Sequence, residues 1–189
     1  MGAEQSGHLM NVGYELYLKL LEEAVLEEKG EKAKANTDCA IKLAVSAGLP
    51  DSYVPDAGQR IDLYRRIAAV RSERDREDVL DELIDRFGEP PATAVTLCDI
   101  ALLRAKACAQ GIVDIRQENG RLRIMWAEDC IDLRRISELC NAKPFLGRIM
   151  LNAGKEPYVH LRLKPKEKAL QLSQQLVDIY LQTEEKQEG

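Results

Sequence analysis

Catalytic chemistry is poorly supplied in this 189-residue sequence. Two histidines, His8 and His160, are too few for a histidine-based zinc site. The five cysteines, Cys39, Cys98, Cys108, Cys130 and Cys140, contain no Cys-x-x-Cys pair, and their odd number argues against a closed disulfide framework. They read as reduced, mostly buried thiols that behave as small hydrophobes. There is no G-x-x-x-x-G-K-[ST] loop to cradle a nucleotide, no G-x-G-x-x-G and no G-x-S-x-G. No apolar run approaches the roughly 18 residues of a membrane span. The N-terminus lacks the basic and apolar regions of a signal peptide. A cytoplasmic location is expected. Positive charge is not in excess either: 27 Lys and Arg stand against 32 Asp and Glu, a net charge of -5. Such a chain is a poor default candidate for gripping nucleic-acid phosphates. No catalytic residue and no metal ligand set is assigned.

What is present is enough apolar residue, 45%, for one ordinary core and an appendage. Leu16, Tyr17, Leu20, Leu21, Ala24 and Val25 share one helical face, so residues 9–28 read as a helix. The charged stretch from Glu27 to Asn36 has no apolar period and reads as a linker. The pattern places a domain boundary near Asn36, with residues 1–36 as an appendage and 37–189 as the domain. Alternation over Cys39–Val45 predicts a strand. Asp56 is expected to cap a helix running to about Val70, with Ile61, Tyr64, Ile67 and Ala68 inward. Asp75 is expected to cap the next helix, with Val79, Leu80, Leu83, Ile84 and Phe87 buried and Gly88 as its stop. A longer helix from about Pro91 to Gln110 shows one stripe: Val95, Cys98, Leu102, Ala105 and Ala109.

The period then changes. Val113 and Ile115 alternate, Asn119-Gly120 supplies a two-residue turn, and Leu122, Ile124 and Trp126 alternate again. Such a hairpin sets Ile115 opposite Ile124 and Val113 opposite Trp126. Residues 130–141 suggest a short helix. Ile149 and Leu151, then Val159, Leu161 and Leu163, suggest a second strand pair. A last helix is expected from about Lys166 to Gln182, with Leu172, Leu176 and Ile179 inward, and a disordered tail from Glu184. The expected class is α+β: a helical cluster, two antiparallel strand pairs and a C-terminal helix, preceded by a helical appendage.

The most unusual segment is residues 72–89. Eight acidic residues accompany three arginines, and Asp78, Glu82 and Asp85 fall at i, i+4 and i+7 on one helix side. One reading is a solvated face, with Glu82 paired to Arg86. The other is a docking surface for an arginine-bearing partner, whose guanidinium groups relieve the like-charge repulsion. A nucleic-acid surface is a further possibility, built on Arg65, Arg66, Arg71, Arg74 and Arg76, or on Arg116, Arg121 and Arg123 of the hairpin. An enzyme would require His160, a cysteine and a carboxylate to converge.

Two stretches carry a family resemblance. Gly2-Ala3-Glu4-Gln5-Ser6-Gly7-His8, with Val12-Gly13-Tyr14-Glu15-Leu16-Tyr17 and Leu20–Val25, resembles the end of the translocation motif shared by RecG-type DNA translocases and transcription-repair coupling factors. Leu49-Pro50-Asp51-Ser52-Tyr53-Val54-Pro55-Asp56, Arg60, Leu63–Ala68 and Glu82-Leu83-Ile84-Asp85-Arg86-Phe87-Gly88 resemble the C-terminal domain of the coupling factors, which RecG lacks. Glu89-Pro90-Pro91 is a mild departure from the family run. The resemblance implies a regulatory domain of an ATP-driven DNA translocase. That translocase displaces stalled RNA polymerase from duplex DNA and recruits the excision-repair protein UvrA. It implies that the domain covers the UvrA-binding, UvrB-like N-terminal module of the same protein. Glu82 and Asp85, with Asp78 beside them, would meet arginines of that module. Gln5, Ser6 and Gly7 carry over as motor-coupling residues. ATP and magnesium would belong to the full-length protein, and this segment needs no cofactor of its own. The alternative remains a nucleic-acid-contacting accessory domain.

Overall fold

The computed structural model describes residues 39–185, with side chains through Gln182. The expected helix over 9–28, the linker, the boundary near Asn36 and the motif residues Gln5, Ser6 and Gly7 lie outside the described residues. The elements in chain order are β1 (Ala40–Lys42), α1 (Ala57–Ala68), α2 (Glu73–Phe87), α3 (Ala92–Ala109), β2 (Ile112–Glu118), β3 (Arg121–Trp126), α4 (Leu133–Asn141), β4 (Ile149–Asn152), β5 (Tyr158–Arg162) and α5 (Ala169–Glu185). This is an α+β fold. The described chain divides into two compact units, residues 45–102 and residues 39–44 with 103–185.

The first unit is helical. Asp56 caps α1, its side chain accepting from the Gln59 N–H at 2.8 Å. Leu63, Tyr64, Ile67 and Ala68 of α1 are buried. The loop before α1 is held by side chains that reach backbone groups. The Tyr64 hydroxyl accepts from the Leu49 N–H at 2.9 Å, and Arg60 donates to the Val54 carbonyl at 2.7 Å. These bonds give Tyr64 and Arg60 a structural task, because buried backbone groups must find partners. Helix α3 runs from the first unit into the second and departs from the single-stripe expectation. Ala94, Leu97, Cys98, Ile100, Ala101, Leu102, Leu103 and Ala107 are all buried, so the helix is enclosed on most of its circumference. Its predicted stripe member Ala109 is exposed. Burial pushes the Cys98 thiol up to about 12, which keeps it protonated.

The second unit is built on one five-stranded sheet of order β1-β2-β3-β5-β4. The hairpin forms at Asn119 (φ 48°) and Gly120 (φ 70°), both left-handed as a type I′ turn requires. Ile115 faces Ile124 as expected, but Trp126 pairs with Ile112. The register shifts between Ile112 and Asp114, so Val113 bulges out of the alternation instead of facing Trp126. The two strand pairs join through antiparallel β3–β5, and β1 adds parallel to β2. Ile41, Ile115, Ile124 and Val159 form one cross-strand row and are buried; Leu122 and Leu161 continue the core in the next row but one. Full burial of each such side chain contributes about 1.5–3 kcal/mol. Trp126 and Tyr180 of α5 meet with ring centroids 5.4 Å apart. The last helix starts at Ala169, later than expected, because Lys166 has φ 70°, outside helical geometry. It also continues through Glu184 and Glu185, where a disordered tail was expected to begin.

The cysteines are free. Cys39 and Cys98 are buried, Cys108 and Cys140 half-buried, and Cys130 exposed. A hydrogen bond with the Cys108 thiol, followed by burial, pushes the Cys39 thiol well above the usual thiol range.

Candidate docking surface on the acidic helix

Helix α2 starts at a capping box. The Ser72 side chain accepts from the Asp75 N–H at 3.2 Å, and the Asp75 carboxylate accepts from the Ser72 N–H at 2.9 Å. The N-cap is therefore Ser72, not Asp75. Asp75 serves from the third helical position, where its carboxylate also accepts from the Arg71 N–H. That backbone bond, then the Ser72 hydroxyl, hold the Asp75 carboxyl below the usual carboxylate range. At the other end Gly88 adopts φ 81°, ψ -166°, a conformation open almost only to glycine, and donates its N–H to the Ile84 carbonyl.

The buried side of α2 is carried by Val79 and Leu83, with Leu80 and Phe87 half-buried. Ile84 does not join them; it is 44% exposed. Tyr53 secures the C-terminal end. Its hydroxyl lies 2.7 Å from the Gly88 carbonyl and 3.1 Å from that of Leu83, and its ring packs against Phe87. Arg86 sits over the other aromatic partner, 5.0 Å from the Phe87 centroid.

The three predicted carboxylates share a helix side but differ in state. Asp78 and Asp85 are exposed, and neither makes a hydrogen bond or ion pair among the described residues. Glu82 lies between them on the flank nearest α1. Its side chain is only 16% exposed and is held twice: Oε1 by Arg86 at 2.7 Å, and Oε2 by Arg66 of α1 at 2.5 Å. The Arg86 pair follows from i, i+4 spacing. The Arg66 contact is tertiary and left no local signal. Asp81, also exposed and unpaired, lies on the same outer side, as does Ile84. The surface is thus an apolar side chain among three free carboxylates, with a fourth carboxylate already neutralised.

The basic cluster expected near this helix is largely occupied. Arg65 pairs with Asp62, Arg66 with Glu82 and Arg76 with Asp99 at 2.7 Å, while Arg71 donates to the carbonyls of Ala68 and Val70. His160 lies in β5 with its Nε2 atom 3.6 Å from Glu118 and its ring 5.0 Å from that of Tyr158; its register neighbours are Arg123 and Met150, not a cysteine. Among the described residues no group of three or more His, Cys, Asp and Glu side chains could hold a metal ion. No helix of the described residues is long and apolar enough to cross a membrane.

The sequence of this helical unit and of the first strands of the sheet unit, residues 43–133, matches the family model of the TRCF domain. The chain belongs to the transcription-repair coupling factor family. It is 32% identical over 145 residues to the transcription-repair-coupling factor of Bacillus subtilis, covering 75% of this chain and 12% of that protein. It is 40% identical over 117 residues to the factor of Escherichia coli, covering 59% of this chain and 10% of that one. The chain therefore spans between about a tenth and a seventh of the length of the curated relatives it matches. The crystal structure of a C-terminal domain of transcription-repair coupling factor shares the fold, with a TM-score of 0.69 at 21% identity, covering 79% of this chain and 95% of that one.

Proposed function

We propose that this domain is a non-catalytic regulator of a DNA translocase that displaces stalled RNA polymerase and recruits nucleotide excision repair. It acts by docking the outer side of α2 onto the UvrB-like N-terminal module of the same protein, which masks the surface that UvrA binds. The observation that carries the reading is the pair of exposed, unpartnered carboxylates Asp78 and Asp85 beside the exposed Ile84. Unpaired charges around one apolar side chain suit an arginine-bearing surface with a small hydrophobic contact. Held in one polypeptide, the two modules meet at high effective concentration, so individually weak pairs suffice to close the clamp. ATP and magnesium act in the motor of the full-length protein. Gln5, Ser6 and Gly7 belong to its coupling motif.

The test is binding in trans between this chain and the UvrB-like module at low and moderate salt. The informative variant is Asp78→Lys/Asp85→Lys, because Glu82→Lys would also break two internal ion pairs and set a lysine against Arg66 and Arg86. Binding that weakens at least about tenfold in the double variant, with the fold intact, supports the clamp. Native binding too weak to detect at low salt, or a double variant that binds as tightly as the native chain, removes it.

A further inference from the structure

The net charge of -5 conceals a division. Residues 39–44 and 103–185 hold fifteen Lys and Arg against eleven Asp and Glu, a balance of +4. Much of that excess lies on one face of the sheet. Strand alternation sends Ile41, Ile115, Ile124, Val159, Leu122 and Leu161 to the core, so the intervening positions occupy the opposite face. There the register aligns Lys42, Arg116, Arg123 and His160 in one row across β1, β2, β3 and β5. At ~4.8 Å between strands the row is ~14 Å long. Arg121 and Arg162 pair in the parallel row alongside. Lys42, Arg121 and Arg162 are exposed, and Arg116, Arg123 and His160 half-buried.

Two further features point to what this face receives. The first is aromatic: the Arg123 guanidinium lies 4.5 Å over the Tyr158 ring, which in turn packs against the His160 ring. The second is unmet hydrogen bonding. Arg123 Nε and His160 Nε2, neighbours in register, are both buried with no hydrogen-bond partner among the described residues. Buried polar groups are seldom left so, and a bound water or ion is a common resolution. The carboxylates on this face are Asp114, chelated by Arg116 at 2.6 Å through both oxygens, and Glu118, which is 3.6 Å from His160.

We propose that this face binds single-stranded nucleic acid, its cation rows following the phosphates and the Tyr158–His160 pair offering a ring surface to a base. Cations at strand spacing beside aromatic rings on an open sheet are how single strands are held without sequence readout. An acidic polypeptide would engage the guanidinium groups but leave the rings unused. A duplex would not expose its bases to them.

The experiment is fluorescence anisotropy of a labelled oligothymidylate of about 20 nucleotides titrated with the whole chain. A duplex of equal length and a polyglutamate peptide serve as competitors. Three phosphate contacts predict a fall in affinity of about twentyfold between 50 and 200 mM salt. Arg121→Glu/Arg162→Glu, both exposed, is expected to weaken binding at least tenfold with an unchanged melting temperature. Arg123→Gln, which removes the charge and keeps a polar side chain, is expected to weaken it several-fold. The proposal fails if no binding is seen at 50 mM salt, if the double variant binds like the native chain, or if polyglutamate or the duplex competes better than the unlabelled single strand.

Discussion

The helical unit and the sheet unit dispose of their charges in opposite ways. Residues 45–102 hold seven Lys and Arg against twelve Asp and Glu, a balance of -5. Their arginines are mostly tied down, on Asp51, Asp62, Glu82 and Asp99, and the carboxylates left over, Asp78, Asp81 and Asp85 among them, face solvent. In the sheet unit Glu128, Asp129, Glu138 and Glu156 are exposed without an ion pair among the described residues, and four other carboxylates are held by cations. Asp114 is chelated by Arg116, Asp132 lies near Arg134 and Arg135, Glu167 is held by Arg148 and Asp178 by Lys106. Lys42, Arg121 and Arg162 are left over. In each unit the candidate surface carries unpaired charge of the sign in excess there: carboxylates on α2, cations on the sheet. A net charge summed over a chain is therefore a weak guide to what its separate surfaces attract.

This comparison can be broken at several points. The largest effect is expected at Gly111 of the sheet unit, which has φ 68°. An added Cβ there would lie 2.5 Å from Cys130 Cβ and 2.9 Å from its sulfur. Gly111→Ala combines backbone strain with overlap and should lower stability by about 2–3 kcal/mol in urea unfolding. A loss under about 1 kcal/mol would mean that the Cys130 loop yields freely. In the helical unit, Ser72→Ala removes half of the α2 capping box and should cost about 1 kcal/mol, read from the same unfolding curves. Acid should loosen this cap as well. The Asp75 carboxyl is depressed by its bonds from the Arg71 N–H and then Ser72, so its contribution is complete above the ordinary carboxylate range. It is lost as pH falls through that range toward the folded-state value. The stability gap between the native chain and Asp75→Ala should therefore narrow below about pH 4 in a urea series. A gap that stays constant down to pH 2.5 would contradict the assignment. The smallest effect is expected for Asp78→Asn and Asp85→Asn, within about 0.5 kcal/mol of the native chain. A larger loss would show that these carboxylates support the fold rather than a partner.

How far the sequence anticipated this structure depended on the range of the signal. The hairpin register was legible because Asn119-Gly120 and the alternation of Ile115, Leu122 and Ile124 are local and agree. The Val113 bulge escaped because alternation carries no mark for one extra residue. The β3–β5 and β1–β2 pairings, which turn strand pairs into a single sheet, join segments far apart in the chain and leave no local period. The acidic side of α2 was visible in spacing, and so was the Glu82–Arg86 pair. The grip of Arg66 on Glu82 and the exposure of Ile84 depend on where α1 packs. The charge division was present in the residue order all along. Only the boundaries of the two units, at residues 45 and 102, make it countable.

Tyr53 holds α2 from the side opposite its free carboxylates, and that separation bears on how such a surface changes over time. Asp78, Asp81 and Asp85 contribute no described bond to the helix they stand on, so substitutions there cost the fold little, and under the proposed clamp the partner would be their chief filter. Glu82 has no such freedom. Its replacement strands Arg66 and Arg86 as well as altering the surface, so drift at position 82 must be matched by a second change in α1 or α2. One face of a single helix thus holds positions that can diversify independently and one that can move only in concert with others.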